Sequence, residues 1–145
     1  MFNLYIDVLV DSKDPRRFKL AGFSVVEEPL LSRVFVGKEC VEIEAYGARI
    51  LMPTPQLLME MKIKSFPDRT KDDKRTKDLA DICALLLYSG HKPPPASQTR
   101  EGKELWQRYC DALTKTTKEE WDYVANALDV SAAIARRTAN LIRPR

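Results

Sequence analysis

A single histidine, His91, and three cysteines, Cys40, Cys83 and Cys110, are the only imidazole and thiol groups in this 145-residue chain. The cysteines are odd in number, widely spaced and form no C-x-x-C pair. That argues against a zinc site and for reduced intracellular thiols. No apolar run approaches the roughly 18 residues of a membrane span. The longest, Ile82–Tyr88, suits a core helix. The first residues carry no basic n-region and place Asp7 inside their apolar run, so they do not read as a secretory signal. A strong excess of one charge is also missing. Twenty-four Lys and Arg against 21 Asp and Glu leave a net charge of +3, which permits contact with nucleotides or RNA without arguing for it. Together these features predict a cytoplasmic protein that does not enter a membrane.

Hydrophobic residues make up 44% of the chain and charged residues 31%, enough core for one domain or one domain with a helical appendage. Phe2–Val10 alternates: Phe2, Leu4, Ile6, Val8 and Val10 face one way, while Asn3, Tyr5, Asp7 and Leu9 face the other. The pattern predicts a strand. Asp7 is the exception within it, because aspartate is a poor strand former. It reads either as an exposed residue on the polar face or as a metal-ligand carboxylate. Gly22–Val26, Ser32–Val36, Cys40–Tyr46 and Arg49–Met52 are further strand candidates, with a hairpin over residues 33–45 turning at Gly37–Glu39. The expected fold class is α+β, a small antiparallel sheet followed by a helical bundle.

Two helices joined by a charged turn come next. The first is expected over about Pro55–Phe66, with Thr54 as N-cap, Pro55 at the first helical position and Pro67 ending it. Leu58, Met61 and Ser65, widened by Leu57, form its apolar side. The second begins within Asp72–Lys77 and buries Leu79, Ile82, Cys83 and Leu86 at three- and four-residue spacing. Lys62, Lys77, Asp78 and Asp81 break this hydrophobic logic. Asp78 and Asp81 are three apart and share a helix face, so Lys62 of one helix could meet one or both. Such a group is either an ion pair that sets the register of two helices or part of a functional site; structural pairs are the commoner case.

His91-Lys-Pro-Pro-Pro-Ala-Ser-Gln reads as a semi-rigid linker over residues 91–98, and His91 as a linker residue. Residues 99–145 read as a helical appendage to a sheet-and-helix unit over residues 1–90. The expected helices span about Arg100–Leu113, then a segment opened by the capping box Thr117-Lys-Glu-Glu, then one capped by Ser131. Residues 124–142 have the outline of a helix-turn-helix with Arg136 and Arg137 on its second helix. However, Asp129 stands where glycine is usual, and few side chains there could read bases. DNA is therefore not the favoured partner.

Taken in order, Ile6-Asp7-Val8, the sheet region, Pro55, Leu57, Leu58, Lys62 and Arg69, and then Lys77-Asp78-Leu79-Ala80-Asp81 before an apolar run resemble the C-terminal half of the nucleotidyltransferase fold. The likeness is greatest to minimal nucleotidyltransferases of bacteria and archaea, including toxins of the AbiE kind from toxin–antitoxin pairs, and covers about residues 2–90. It implies a Mg2+-dependent transfer of a nucleotide from an NTP to an RNA or protein hydroxyl. Asp7 would be a catalytic metal ligand. Lys62 would neutralise triphosphate charge, Arg69 and Lys77 would bind substrate, and Asp78 and Asp81 would orient Lys62 or the nucleotide. The family's Gly-Ser followed by Asp-x-Asp does not occur in this sequence. The resemblance thus implies no transfer by this chain alone, with Mg2+ bound only if upstream carboxylates are supplied. The alternative is a non-enzymatic module that pairs with a partner chain or a second copy, using Phe2–Val10 as a docking edge.

Overall fold

The structure, a computed structural model, describes residues 8–10, 25–27, 30–70, 72–90, 92 and 99–142. It is α+β and divides into two compact units after Thr54. The proline segment is therefore not where the units part. Helices from both sides of residues 91–98 share one core.

The first unit holds strands β1 (Val8–Val10) and β2 (Val25–Glu27), helix α1 (Leu31–Phe35) and strands β3 (Cys40–Ala45) and β4 (Ala48–Pro53). β1 and β2 pair in parallel, with Val8 opposite Val25. The expectation of antiparallel pairing holds for β3 and β4.

Ser32–Val36, expected as a strand, is mostly helix. Its buried residues are Leu31 and Val34. That three-residue spacing fits a helical period as well as the alternation of Val34 and Val36 fits a strand, and so short a run does not separate the two. The side chain of Arg33 donates from Nε and Nη2 to the two carboxylate oxygens of Glu39, at 2.6 Å each, which ties the end of α1 to the start of β3. Gly37 lies between them because a Cβ there would stand 2.8 Å from the Arg33 carbonyl oxygen. The hairpin accordingly turns at Tyr46–Gly47, not at Gly37–Glu39. Both Tyr46 and Gly47 have positive φ, 53° and 73°, as a two-residue loop between twisted strands requires.

The second unit is helical. It comprises α2 (Pro55–Ser65), a 3-10 turn (Phe66–Asp68), α3 (Asp72–Tyr88), α4 (Arg100–Thr114), α5 (Lys118–Leu128), α6 (Ala132–Ala139) and a closing 3-10 turn (Asn140–Ile142). Proline at the start of α2 supplies a φ already suited to a helix, and Pro67 lies within the turn that ends it. α2 buries Leu57, Met59 and Ile63. Leu58, Met61 and Ser65, expected on the apolar side, are only half buried. Apolar residues surround the first turns of this helix, so its phase is decided by packing. α3 buries Leu79, Ile82 and Cys83 as its spacing implies, and Leu86 packs partly buried against them.

The core runs from Met59, Ile63 and Phe66 through α3 to Trp106, Tyr109, Trp121, Val124, Ala135 and Ile142. Thr99 caps α4 by accepting from Gly102 N at 3.1 Å. Thr117 and Glu120 form the reciprocal capping box of α5, and Ser131 caps α6 by accepting from Ile134 N at 3.3 Å. Asp129 closes α5 in the left-handed conformation, φ 52°, doing without the glycine usual at such an end. Among the described residues no helix is long and apolar enough to cross a membrane.

Candidate functional site

The charged residues that interrupt the helical pattern meet between α2 and α3. Lys62 and Ser65 are three apart on α2, and Asp78 and Asp81 three apart on α3, so each pair projects from one side of its helix. Lys62 Nζ lies 2.7 Å from Asp78 Oδ1 and 2.6 Å from Asp81 Oδ2. Ser65 Oγ lies 2.8 Å from Asp78 Oδ2. Arg69, in extended backbone after the 3-10 turn, donates from Nε to the same oxygen at 2.7 Å.

Exposure divides these groups. The Asp78 side chain is 4% exposed, that of Lys62 25%, Arg69 40% and Asp81 50%. A buried carboxylate is thus the centre, and the two cations and the second carboxylate form the rim. Burial alone would push the Asp78 carboxyl upward. Donation from Lys62, Arg69 and Ser65 outweighs it and holds the group below the ordinary carboxylate value. Burial likewise pulls the Lys62 ammonium downward, and Asp78 and Asp81 overcome this and raise it above the ordinary lysine value. Lys62 is therefore protonated at neutral pH. It can stabilise negative charge but cannot serve as a nucleophile or general base.

Of the residues singled out in the sequence, Lys62, Asp78, Asp81 and Arg69 come together. Lys77 is exposed on α3 and makes no bond to the cluster. Asp7 lies outside the described residues, as does the edge of Phe2–Val10 before Val8. Ser65 was legible only as part of an apolar stripe, although its three-residue spacing from Lys62 marks it as a neighbour. Among the described residues no three His, Cys, Asp or Glu side chains converge to hold a metal ion. Asp78 spends both oxygens on cations. These residues alone do not fit a magnesium site.

A cleft of about 360 Å3 is lined by Pro67, Arg75, Arg108, Asp111, Ala112 and Lys115. Its arginines are committed: Arg108 to Asp68, and Arg75 to Glu120 and the Ala112 carbonyl. On α6, the Arg136 guanidinium stands over the Trp121 ring at 5.7 Å. Arg137 is exposed beside Ala133 and Ile134, a surface with little to read bases.

No protein-family model matches the chain, and neither a curated protein nor a solved structure matches it.

Proposed function

We propose that this chain supplies the phosphate-binding part of a nucleotidyltransferase-like site. It takes the triphosphate of an NTP, with Mg2+ arriving on that triphosphate, for transfer of the nucleotide to an RNA or protein hydroxyl. The observation that supports this reading is the pair of cations, Lys62 and Arg69, held side by side on the single buried carboxylate of Asp78. Asp78 fixes the direction of each cation and leaves part of each open to solvent. The guanidinium of Arg69 uses only Nε on Asp78, and its two Nη groups have no protein partner among the described residues. Planar, fixed donors of this kind suit phosphate oxygens.

Calorimetric titration of the chain with Mg-ATP and Mg-GTP tests the proposal. Lys62→Gln and Arg69→Gln are each expected to weaken binding about tenfold, the loss of one charge-assisted hydrogen bond. Circular dichroism should confirm an unchanged fold. Absence of binding by the unaltered chain at millimolar nucleotide would reduce the cluster to a helix–helix register pair.

A second reading, an interaction module, draws on the β3–β4 hairpin. Its register puts Val41, Ile43, Ala45, Ala48, Ile50 and Met52 on one face and Glu42, Glu44, Arg49 and Leu51 on the other. Val41, Ile43, Ile50 and Met52 are 37–43% exposed. Sedimentation over a wide concentration range checks this reading. Self-association lost on Ile43→Lys would favour it, and a strict monomer would remove a second copy as the partner.

A further inference from the structure

Asp78 and Asp81 both touch the Lys62 ammonium, at 2.7 and 2.6 Å, but they are not equivalent. Asp78 is buried and accepts from Lys62, Ser65 and Arg69. Removing it from Lys62 would strand a charge out of water. Asp81 is half exposed and, among the described residues, is held by Lys62 alone. Releasing it returns a carboxylate to solvent, and exposed pairs of this kind are weak. The cluster is also charge-balanced: two cations, Lys62 and Arg69, face two carboxylates. An anion approaching Lys62 meets a carboxylate already in the place that it would occupy.

From this we infer that Asp81 is a specificity-determining residue, an internal competitor that occupies Lys62 until a polyphosphate displaces it. The inference rests on the reading of Lys62 and Arg69 as phosphate-binding groups. An attached carboxylate competes at a high effective concentration. A singly or doubly charged anion such as orthophosphate cannot displace it at ordinary concentrations. A tripolyphosphate reaches both Lys62 and the Nη groups of Arg69, and its greater charge overcomes the competition. Asp78 is the positioning residue that keeps both cations in place throughout.

The experiment compares the full chain with Asp81→Asn, Asp81→Glu and Lys62→Gln, using inorganic tripolyphosphate and orthophosphate without magnesium. Asp81→Asn keeps the size of the side chain and removes its charge at a half-exposed position, so the fold is retained. It is expected to bind tripolyphosphate about fivefold more tightly or better, as loss of one neighbouring like charge implies. It should bind orthophosphate with a larger gain, so that the preference for tripolyphosphate narrows. Asp81→Glu should keep the original preference, and Lys62→Gln should lose affinity for tripolyphosphate and gain none for orthophosphate. If the unaltered chain binds through Lys62 but Asp81→Asn binds no more tightly, or the preference does not narrow, the competitor role is overturned and the phosphate site stands. If neither the unaltered chain nor Asp81→Asn binds, both fall.

Discussion

Asp78 is the residue on which the cluster depends, and its burial sets the cost of removing it. Replacing it with asparagine keeps the shape but leaves Lys62 and Arg69 without their shared anion. Breaking a fully buried ion pair costs about 3–5 kcal/mol. Lys62 and Arg69 remain partly hydrated, so about 2 kcal/mol is expected here, measured as a shift of the urea midpoint at pH 7. The pH dependence has a definite sign. The folded carboxyl of Asp78 titrates below its unfolded value, so its contribution is complete above the ordinary carboxylate range and is lost as pH falls through it. The folded ammonium of Lys62 titrates above its unfolded value, so its contribution is complete below the ordinary lysine value and is lost as pH rises past it. The stability gap between the unaltered chain and Asp78→Asn should therefore be flat near neutrality, close toward acid and only narrow toward alkali, where Arg69 still pairs with Asp78. A gap that widens toward acid would contradict this assignment. Cys83 gives a second residue-scale expectation. Burial pushes its thiol up to about 12, and thiolate is the reactive form. A colorimetric thiol reagent at pH 8 should label at most two of the three cysteines in the folded chain and all three in denaturant. Full labelling without denaturant would show that α3 opens readily.

Among the elements, the helix starts were readable because a cap is local chemistry: Thr117 and Glu120 are three residues apart, and their pairing follows from that spacing. The second task of Glu120 was not readable. It also accepts from Arg75, 45 residues earlier, and no local pattern carries so distant a pairing. Arg75 further donates to the Ala112 carbonyl at 2.8 Å and stands over the Phe66 ring at 4.9 Å, which joins α3 to α4 and to the turn after α2. Two substitutions in one capping box should thus differ. Thr117→Ala loses a cap, about 1 kcal/mol. Glu120→Ala loses the cap and also leaves the 14%-exposed Arg75 side chain without its anion, and should cost about 3 kcal/mol. Equal losses in denaturant unfolding would remove the Arg75 pair from the stability of the bundle. The hairpin turn at Tyr46–Gly47 escapes a reading of the sequence for a related reason. Tyr-Gly carries none of the Asn-Gly or Asp-Gly signal of such turns, while Gly37-Lys38 looked like one. Lys62, Asp78 and Asp81 were legible because charged residues at three-residue spacing stand out against an apolar helix. Ser65 did not stand out, since a hydroxyl fits either face.

At the scale of the molecule, the boundary after Thr54 has a consequence for where function resides. Each described member of the charged cluster, from Lys62 to Asp81, belongs to the helical unit, and so does every residue of the large hydrophobic core. The proline-rich stretch looked like a boundary in the sequence because composition changes there. Packing decides otherwise, because α3 lies against α5 and α6 as well as α2. A unit with its own core can fold alone, so residues 55–145 are expected to show a cooperative thermal transition with strong helical ellipticity. That fragment should also keep the Asp78→Asn destabilisation seen in the full chain, since Lys62, Ser65 and Arg69 travel with it. Titration with tripolyphosphate then checks that the site belongs to this unit. Binding by the fragment is expected to equal that of the full chain, because every described member of the cluster lies in it. A fragment that folds cooperatively but binds more weakly would contradict that placement. A fragment without a cooperative transition would contradict the independence of the helical core.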